Sequence, residues 1–453
     1  MRYVCGILFL IFIQAGTFSG TCAADRDELM QRRARAAKQF SDGVLLLHAK
    51  SEIDSASDGY RVEPAFYYLS GMENLPGALL AIDGKKGESW LFVNSDKYYM
   101  TIGADVVPGR GAQQELGIAH VVDWTELESF LAERAGAGEK VYYQRSAPEL
   151  PPNLATLKDN RAPTWIQVLQ KKWPELRFEE AGQRLSSLMD VQSAEEQKAL
   201  RAAAGATTKA LIAGVRAVHP GATQRSVESV VESACWKEGA HGAAFWPWAM
   251  AGANSVFPKP FASMERYDHL ESVMQAGDLV RLDVGCEWEH YQGDLGRTVP
   301  VSGHYSDEQR EIWNAFVAAY RAGVGKLREG TTEDQVFDAW KAELLRHRDT
   351  VKSRLAKQAI ESWSERKNVP YWQAHTTNLD AGYIDGAMRA GMTIDFEPIA
   401  SIGGQGYYLE DMFLITKDGA EILTPGLPYS AEEIEAAMSG SKAQESHPHA
   451  AKP

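Results

Sequence analysis

Four acidic residues lie in apolar, strand-like segments of the chain, where carboxylates are uncommon. They form two matched pairs, each in a segment with the pattern of a strand hairpin: Asp283 and Asp294 in 279–301, and Glu397 and Glu410 in 392–416. An unpaired carboxylate buried in a sheet costs on the order of several kcal/mol. Arg281 and Arg297 are the main basic side chains nearby. A divalent cation is therefore the natural partner, and hard oxygen ligands suit manganese, magnesium and related ions.

The main alternative is that these acids point outward from half-exposed strands. For any one of the four taken alone, that alternative is favoured, but two hairpins with the same arrangement make it the weaker interpretation. An imidazole often completes such a ligand set, and His375 lies just before the second hairpin. It is the best placed of the eleven histidines, although a lone histidine is more often a structural residue.

Each hairpin follows a pair of predicted helices, which gives two copies of a helix–helix–strand–strand unit. Capping boxes at Ser193 and Ser306 begin the first helix of each pair. The form G-x-T-x-x-x-V occurs between the helices of both pairs, at 221–227 and at 330–336. These repeats predict a duplicated domain with pseudo-twofold symmetry. A pair of metal ions held by the carboxylates would explain that symmetry.

The whole chain has 453 residues and a globular composition, with 44% apolar and 24% charged residues. Its net charge of −14 argues against a nucleic-acid binder and against docking on an anionic membrane surface. Residues 25–182 alternate strand-like and helix-like patterns and predict a smaller α/β domain without a catalytic cluster. Residues 183–438 would form the duplicated domain, and the polar residues 439–453 a disordered tail.

The first 24 residues have the pattern of a signal peptide. A positive start at Arg2 precedes the apolar run 4–13, which is too short to span a bilayer, and small residues follow. We therefore expect export to a periplasm or to the outside of the cell, with a lipoprotein anchor at Cys22 as the lesser alternative. Cys235 and Cys286 would be the remaining cysteines, and their spacing alone does not determine whether they pair.

Five residues, taken in chain order, resemble the metal-ligand series of the pita-bread metallopeptidases: Asp283, Asp294, His375, Glu397 and Glu410. This family includes the Xaa-Pro aminopeptidases (aminopeptidase P), the prolidases and the methionine aminopeptidases. Segment 62–71 is similar to part of the amino-terminal domain of aminopeptidase P, so the resemblance covers nearly the whole chain after the signal segment. It implies an α/β N-terminal domain followed by an α+β pita-bread domain, the duplicated helix–helix–strand–strand fold.

The resemblance also implies a role for each of these residues. Asp283 would hold one metal ion, and Asp294 and Glu410 would bridge it to a second. His375 and Glu397 would complete the site of the second ion. A water between the ions would become a bridging hydroxide nucleophile, and Glu397 would also manage its proton as a base. Two divalent ions are expected, with manganese preferred and zinc or cobalt as alternatives.

Several positions of the expected substrate site depart from the family pattern. The family places a histidine before the first aspartate strand; counting forward from the preceding segment gives Lys259 there, and counting back from the strand gives Arg266. Either cation could stabilise an oxyanion, and Lys259 is preferred because its anchoring segment ends only five residues before it. A solvated surface charge is the alternative for both. Tyr371 replaces a family histidine, and Tyr408 stands where a basic residue often precedes the last glutamate.

These features together predict an exported metallo-aminopeptidase or dipeptidase that cleaves an N-terminal or dipeptide bond. Two alternatives stay open: a pita-bread protein that binds metal or peptide without turnover, and a metal-dependent hydrolase of a non-peptide amide. The ligand set favours metal binding, whereas the replaced histidines weigh against ordinary proline-directed cleavage. The expected partner is a peptide or small amide substrate, with no nucleic acid and no membrane span. The oligomeric state stays open, although the resemblance makes a homodimer one of the options.

Overall fold

The structure, a computed structural model, describes residues 24–49, 62–73, 75–95, 106–144, 163–256, 272–369, 371–379, 382–384 and 386–440. Lys259 and Arg266 lie outside these residues, as do the segments 1–23 and 441–453. The side chain of Tyr371 is likewise outside the described part of the chain. The predictions for these residues therefore stay predictions.

The N-terminal part of the chain folds around a mixed sheet of six strands. They are β1 (Gly43–His48), β2 (Leu79–Asp83), β3 (Glu88–Val93), β4 (His120–Asp123), β5 (Lys140–Tyr143) and β6 (Arg177–Glu180), in the order β4-β3-β2-β1-β5-β6. The helices are α1 (Arg26–Gln39), α2 (Pro64–Ser70), α3 (Arg110–Leu116), α4 (Leu127–Gly136) and α5 (Thr164–Lys172). Alternate residues of β1 belong to two different core clusters, Leu45 to one and Leu46 to the other. The sheet is therefore covered on both faces, as is typical of an α/β domain.

The C-terminal part begins with α6 (Gly182–Ser186). Its other helices are α7 (Ala194–Ala217), α8 (Gln224–Lys237), α9 (Asp307–Val324), α10 (Glu333–His347), α11 (Arg354–Trp363) and α12 (Ala431–Met438). Its first strands are β7 (Gly242–Ala243), β8 (Trp248–Ala251), β9 (Leu279–Val284), β10 (Cys286–Trp288), β11 (Tyr291–Gln292) and β12 (Leu295–Pro300). The later strands are β13 (Tyr371–Thr376), β14 (Gly382–Tyr383), β15 (Thr393–Ile402), β16 (Gln405–Ile415) and β17 (Ala420–Ile422).

The main sheet of this part has the strand order β14-β13-β15-β16-β12-β9-β8, and β17 pairs with β16. In each half, two helices precede three neighbouring strands: α7 and α8 precede β8, β9 and β12, and α9 and α10 precede β13, β15 and β16. The halves meet where β12 pairs with β16, with Gly296 opposite Glu410. The predicted fold class, an α/β domain followed by a duplicated helix–helix–strand–strand domain, is confirmed.

The capping boxes and the alternation of the strands explain why this domain forms as it does. Both predicted capping boxes are present, with Ser193 and Ser306 each accepting a hydrogen bond from the third residue of its helix. On β9, Leu282 faces α7, where it lies near Gly214. Strand alternation therefore turns its neighbours Arg281 and Asp283 to the opposite face of the sheet. In the described part of the chain, no helix is both long and apolar enough to cross a membrane.

One disulfide joins a helix to a strand next to the acidic face. Cys235 near the end of α8 is bonded to Cys286 at the start of β10, across a sequence separation of 51. The sequence had left this pairing open. Cys286 follows β9 after a single glycine, so the bond connects α8 to the strand region that carries Asp283.

Candidate metal centre

Strand register brings the predicted ligands into two rows on one face of the main sheet. In the first row, Gly296 of β12 lies between Asp283 of β9 and Glu410 of β16, which are its direct partners on either side. In the second row, His375 of β13 lies opposite Asp395 of β15. Because directly paired residues share a face, the acids of β9, β15 and β16 and the histidine of β13 converge although they are far apart in sequence.

The ligand atoms of four residues lie within 4.8 Å of one another, and these are Asp294, His375, Asp395 and Glu410. Glu397 adjoins this group, since its Oε1 is 3.2 Å from the Nε2 of His375. Asp283 is in the neighbouring row, close enough to Glu410 for their negative charges to interact. The structure thus gathers all five residues that the sequence predicted, and it adds Asp395.

Unpaired carboxylate oxygens indicate that a cation fits this cluster. Among the described residues, Oδ1 of Asp294, both oxygens of Asp395 and Oε1 of Glu410 are buried and have no hydrogen-bond donor. Buried oxygens of this kind are rare in native proteins unless a water or an ion satisfies them. A set made of carboxylates and one imidazole matches the ligand chemistry of manganese, cobalt or zinc.

Without a cation, the pKa values of the clustered aspartates are raised, so these residues tend to hold protons. Burial raises the pKa of Asp283 to about 7, against the opposing effect of Arg281. Burial and the charges of neighbouring carboxylates raise the pKa of Asp294 and of Asp395 well above the usual value for aspartate. A divalent ion reverses this effect, because it favours the ionised form of each ligand. Metal and protons therefore compete for the same oxygens.

His375 is oriented with one ring nitrogen toward the carboxylates. Its Nδ1 lies 3.2 Å from the carbonyl oxygen of Thr376, a contact that suits an Nδ1–H donor. Its Nε2 lies 3.7 Å from Glu410 Oε1 and 3.9 Å from Asp294 Oδ2. Although burial disfavours the charged ring, the neighbouring carboxylates of Glu397 and Glu410 hold the pKa of His375 well above its ordinary range. With a cation in place of that proton, Nε2 is the nitrogen that can bind it.

Tyr408 reaches the carboxylates because the residue beneath it is a glycine. A Cβ added at Gly296 would overlap the Tyr408 ring, so only glycine allows this close approach. The Tyr408 hydroxyl donates to Oε2 of Glu410 and lies 3.4 Å from Oε2 of Glu397. The side chain is fully buried. Tyr408 therefore contacts the candidate ligands directly, and its assignment to substrate binding stays a prediction.

The two arginines near the acids have different partners. Arg297 is fully buried, pairs with Asp411 at 2.9 Å and donates to the backbone carbonyls of Gly296 and Glu410. It thus fixes the contact between β12 and β16 without neutralising the cluster. Arg281 is also buried, and its Nη2 lies 3.3 Å from Oδ2 of Asp283.

Comparison with known protein families agrees with the metal centre that this geometry indicates. Residues 198–417 match the model of metallopeptidase family M24, and residues 29–142 match that of the aminopeptidase P N-terminal domain. The two matches together span both parts of the fold, including the whole acidic cluster. The chain belongs to metallopeptidase family M24.

Relatives of this M24 chain extend over most of its length. It is 24% identical to the Xaa-Pro dipeptidase of Pyrococcus horikoshii, over 88% of this chain and 98% of the relative. It is 25% identical to the Xaa-Pro aminopeptidase of Escherichia coli, over 92% and 99%. The structure of aminopeptidase P from E. coli with the inhibitor Pro-Leu superposes with a TM-score of 0.72 at 23% identity, covering 92% and 99%. The members of this family are hydrolases of the Xaa-Pro aminopeptidase and prolidase type. Membership implies that the centre binds divalent metal ions.

Asp395 is the residue of this M24 centre that the sequence reasoning missed. It lies two positions before Glu397 on the same strand, between the apolar residues Ile394 and Phe396. The rule that singled out the other acids, a carboxylate inside an apolar strand, also applies to Asp395. It was overlooked because the resemblance to the known ligand series was complete without it.

Proposed function

We propose that this chain is an exported, two-metal peptidase that hydrolyses the bond before proline in a dipeptide or at the N-terminus of a longer peptide. The single observation that carries the proposal is the group of buried, unpaired carboxylate oxygens around His375. The names of the relatives, an Xaa-Pro dipeptidase and an Xaa-Pro aminopeptidase, support the substrate class. They leave open whether dipeptides or longer peptides are preferred.

The arrangement of the ligands supports two adjacent ion positions. Asp283 would hold one ion, and His375 and Glu397 would hold the other. Asp294 and Glu410 would be shared, because each lies near residues of both positions. Their charges interact with Asp283, and His375 Nε2 is 3.9 Å from Asp294 Oδ2 and 3.7 Å from Glu410 Oε1. We propose manganese as the ion, since oxygen ligands dominate the set, with zinc and cobalt as alternatives. When bound, such ions act as Lewis acids that acidify a water and polarise a carbonyl group.

The chain's own residues would orient the ligands and move the proton. Glu397 adjoins His375 at 3.2 Å, so a carboxylate at this place can accept a proton from water during attack on the peptide. The Tyr408 hydroxyl, which donates to Glu410, holds that carboxylate in a fixed orientation. Lys259 is proposed to stabilise the oxyanion of the substrate. Tyr371 and Arg266 are proposed to contact the peptide.

Export is proposed from the signal-peptide pattern of the first 24 residues. The disulfide between Cys235 and Cys286 supports it, because such bonds persist mainly in oxidising compartments. A homodimer stays a proposal drawn from the family resemblance. Fractionation of cells that express the full chain would test the location: the processed protein is expected outside the cytoplasm, and an unprocessed cytoplasmic protein would contradict export.

Metal analysis coupled to a peptide screen tests the activity. The chelator-stripped protein is loaded with manganese, zinc or cobalt and assayed on Ala-Pro, Ala-Pro-Leu and the matched peptides Ala-Ala and Ala-Ala-Leu. We expect about two ions per chain and turnover of the proline peptides only. Two bound ions without cleavage of any peptide would favour a binding protein or a hydrolase of another amide. Absence of bound metal would overturn the proposal.

A further inference from the structure

Asp395 and Asp411 are neighbouring buried acids with opposite surroundings. Both are 0% exposed, and Asp411 lies opposite Phe396, the residue that follows Asp395. The oxygens of Asp411 accept hydrogen bonds from Arg297, Thr424, Tyr320 and Tyr429. Within the described part of the chain, neither oxygen of Asp395 has a donor. Asp411 is thus a satisfied structural acid, whereas Asp395 accepts no hydrogen bond and has only the distant imidazole of His375 near its charge.

Orienting the imidazole does not explain Asp395. Its nearest approach to His375 is 4.0 Å, between Oδ2 and Nδ1, which is too long for a hydrogen bond. Nδ1 already has a closer acceptor, the carbonyl oxygen of Thr376 at 3.2 Å. The side chain therefore does not act as the usual carboxylate partner of a metal-binding histidine.

A cation between Asp395 and its acidic neighbours does explain it. A ligand atom of Asp395 lies within 4.8 Å of those of Asp294, His375 and Glu410. We propose that Asp395 is an additional ligand of the metal centre on its His375 side, so that the centre of this chain contains five carboxylates. This inference rests on the proposed two-metal function and adds a ligand to the series that the resemblance supplied.

The pseudo-symmetry of the domain makes the effect of Asp395 one-sided. Asp395 lies two positions before Glu397 on β15, and Arg281 lies two positions before Asp283 on β9, so they occupy equivalent places in the two halves. Arg281 adds a positive charge beside Asp283, while Asp395 adds a negative charge beside His375. Negative charge is therefore concentrated on the His375 side. Loss of Asp395 should weaken one ion much more than the other.

The test compares Asp395→Asn with the wild type, using the full chain after removal of the signal segment. Manganese titration followed by the electron paramagnetic resonance signal of the free ion should show at least about a tenfold loss of affinity for one ion. The visible spectrum of the cobalt-loaded protein should also change, since it reports the number and type of ligands. Glu228→Gln is the matched control: Glu228 is a buried acid of the same domain that lies outside the cluster, and its variant should bind metal like the wild type.

Thermal unfolding separates a ligand from a structural acid. Without metal, Asp395→Asn should be at least as stable as the wild type, because it removes an uncompensated buried acid. With manganese, its stabilisation should be smaller than that of the wild type. A variant that unfolds without metal, or one that binds two ions with wild-type affinity and an unchanged cobalt spectrum, would overturn the inference. If the wild type itself binds no metal, the proposed function fails first, so the two failures are distinguishable.

Discussion

The buried carboxylates in and beside the candidate centre are of two kinds, which differ in whether the protein supplies hydrogen-bond donors to their oxygens. Asp411 is satisfied by Arg297 and three hydroxyl groups, so it stabilises the contact between β12 and β16. Asp294, Asp395 and Glu410 retain buried oxygens without donors. Mutation of an acid of the first kind should destabilise the fold. Mutation of an acid of the second kind should weaken metal binding while the fold is retained.

Asp294→Asn tests the second kind directly. Replacing a shared carboxylate with an amide removes one negative charge and one strong ligand atom. We expect the variant to lose at least one of about two ions per chain, measured by elemental analysis after manganese loading and dialysis. Its circular dichroism should match that of the metal-free wild type. Unchanged metal stoichiometry would show that Asp294 is not a ligand.

Lys259→Ala tests the proposed oxyanion donor. Removing one such donor typically lowers turnover about 10²- to 10³-fold. We expect a loss of that order in kcat on the best proline peptide while metal content stays unchanged. Arg266→Ala is the matched control and should have a much smaller effect. Full activity of the Lys259 variant would identify the lysine as a surface charge.

Glu228 makes the stability of the fold depend on pH. Burial raises its pKa from 4.5 to about 7, and its Oε1 accepts a hydrogen bond from the backbone N–H of Ala249. Between these two values the folded protein holds a proton that the unfolded chain has lost, so the Glu228 contribution to stability falls as pH rises from about 4.5 to 7. Glu228→Gln should therefore raise Tm relative to the wild type at pH 8 and not at pH 4.5. An equal shift at both values would contradict this titration.

At the scale of elements, the disulfide connects the helical layer to the strands that carry the first half of the centre. Cys235 is on α8 and Cys286 on β10, and the acidic strand β9 ends just before that bond. Since α8 is otherwise held against β7 and β8 by packing and a few hydrogen bonds, the covalent link limits how far this layer can separate. Its main effect is on the unfolded chain, which loses conformational entropy.

Reduction of this disulfide should destabilise the protein without removing a ligand. For a sequence separation of 51, the chain-entropy estimate is about 4 kcal/mol. We expect a lower Tm after reduction under partly denaturing conditions and in the variant Cys235→Ala/Cys286→Ala. Metal stoichiometry at low temperature should stay unchanged. The double variant is also the control for the reductant, which should not lower its Tm further.

At the scale of the whole molecule, a buried ionic contact joins the N-terminal part to the metal-binding part. Arg32 of α1 and Glu196 of α7 are both 1% exposed and lie 3.2 Å apart. Glu196 also accepts a hydrogen bond from the hydroxyl of Tyr291, in the strand just before Asp294. The first helix of the described chain is thus connected by two contacts to the segment that carries a candidate ligand.

Arg32→Leu should be strongly destabilising because it leaves Glu196 buried without a cation. Breaking a buried pair in this way typically costs about 3–5 kcal/mol. The double variant Arg32→Leu/Glu196→Gln should recover most of that loss, since the glutamine oxygen can still accept the capping hydrogen bond from the Ser193 backbone N–H and the side chain carries no charge. Thermal unfolding of the two variants measures the difference. Equal instability of both would show that the charge of Glu196 is not the cause.

The sequence alone determined the elements of this protein and most of its candidate centre. Three kinds of pattern can be recognised without knowledge of the fold, because each is visible in the sequence itself. They are apolar strands that contain an acid, capping boxes, and a repeated order of helices and strands. They were sufficient to predict the duplicated domain and to name Asp283, Asp294, His375, Glu397 and Glu410, which the structure brings together.

Tertiary structure decided which polar groups have partners. Strand pairing places Asp411 against Arg297 and leaves Asp395 facing the other carboxylates, although both acids lie in apolar strands. It also pairs Cys235 with Cys286, which spacing could not establish. The physical reason is that local periodicity determines the face on which a side chain lies. The groups that meet it there come from other strands and helices, as Arg297 does for Asp411 across a sequence separation of 114, and only their register brings them within bonding distance.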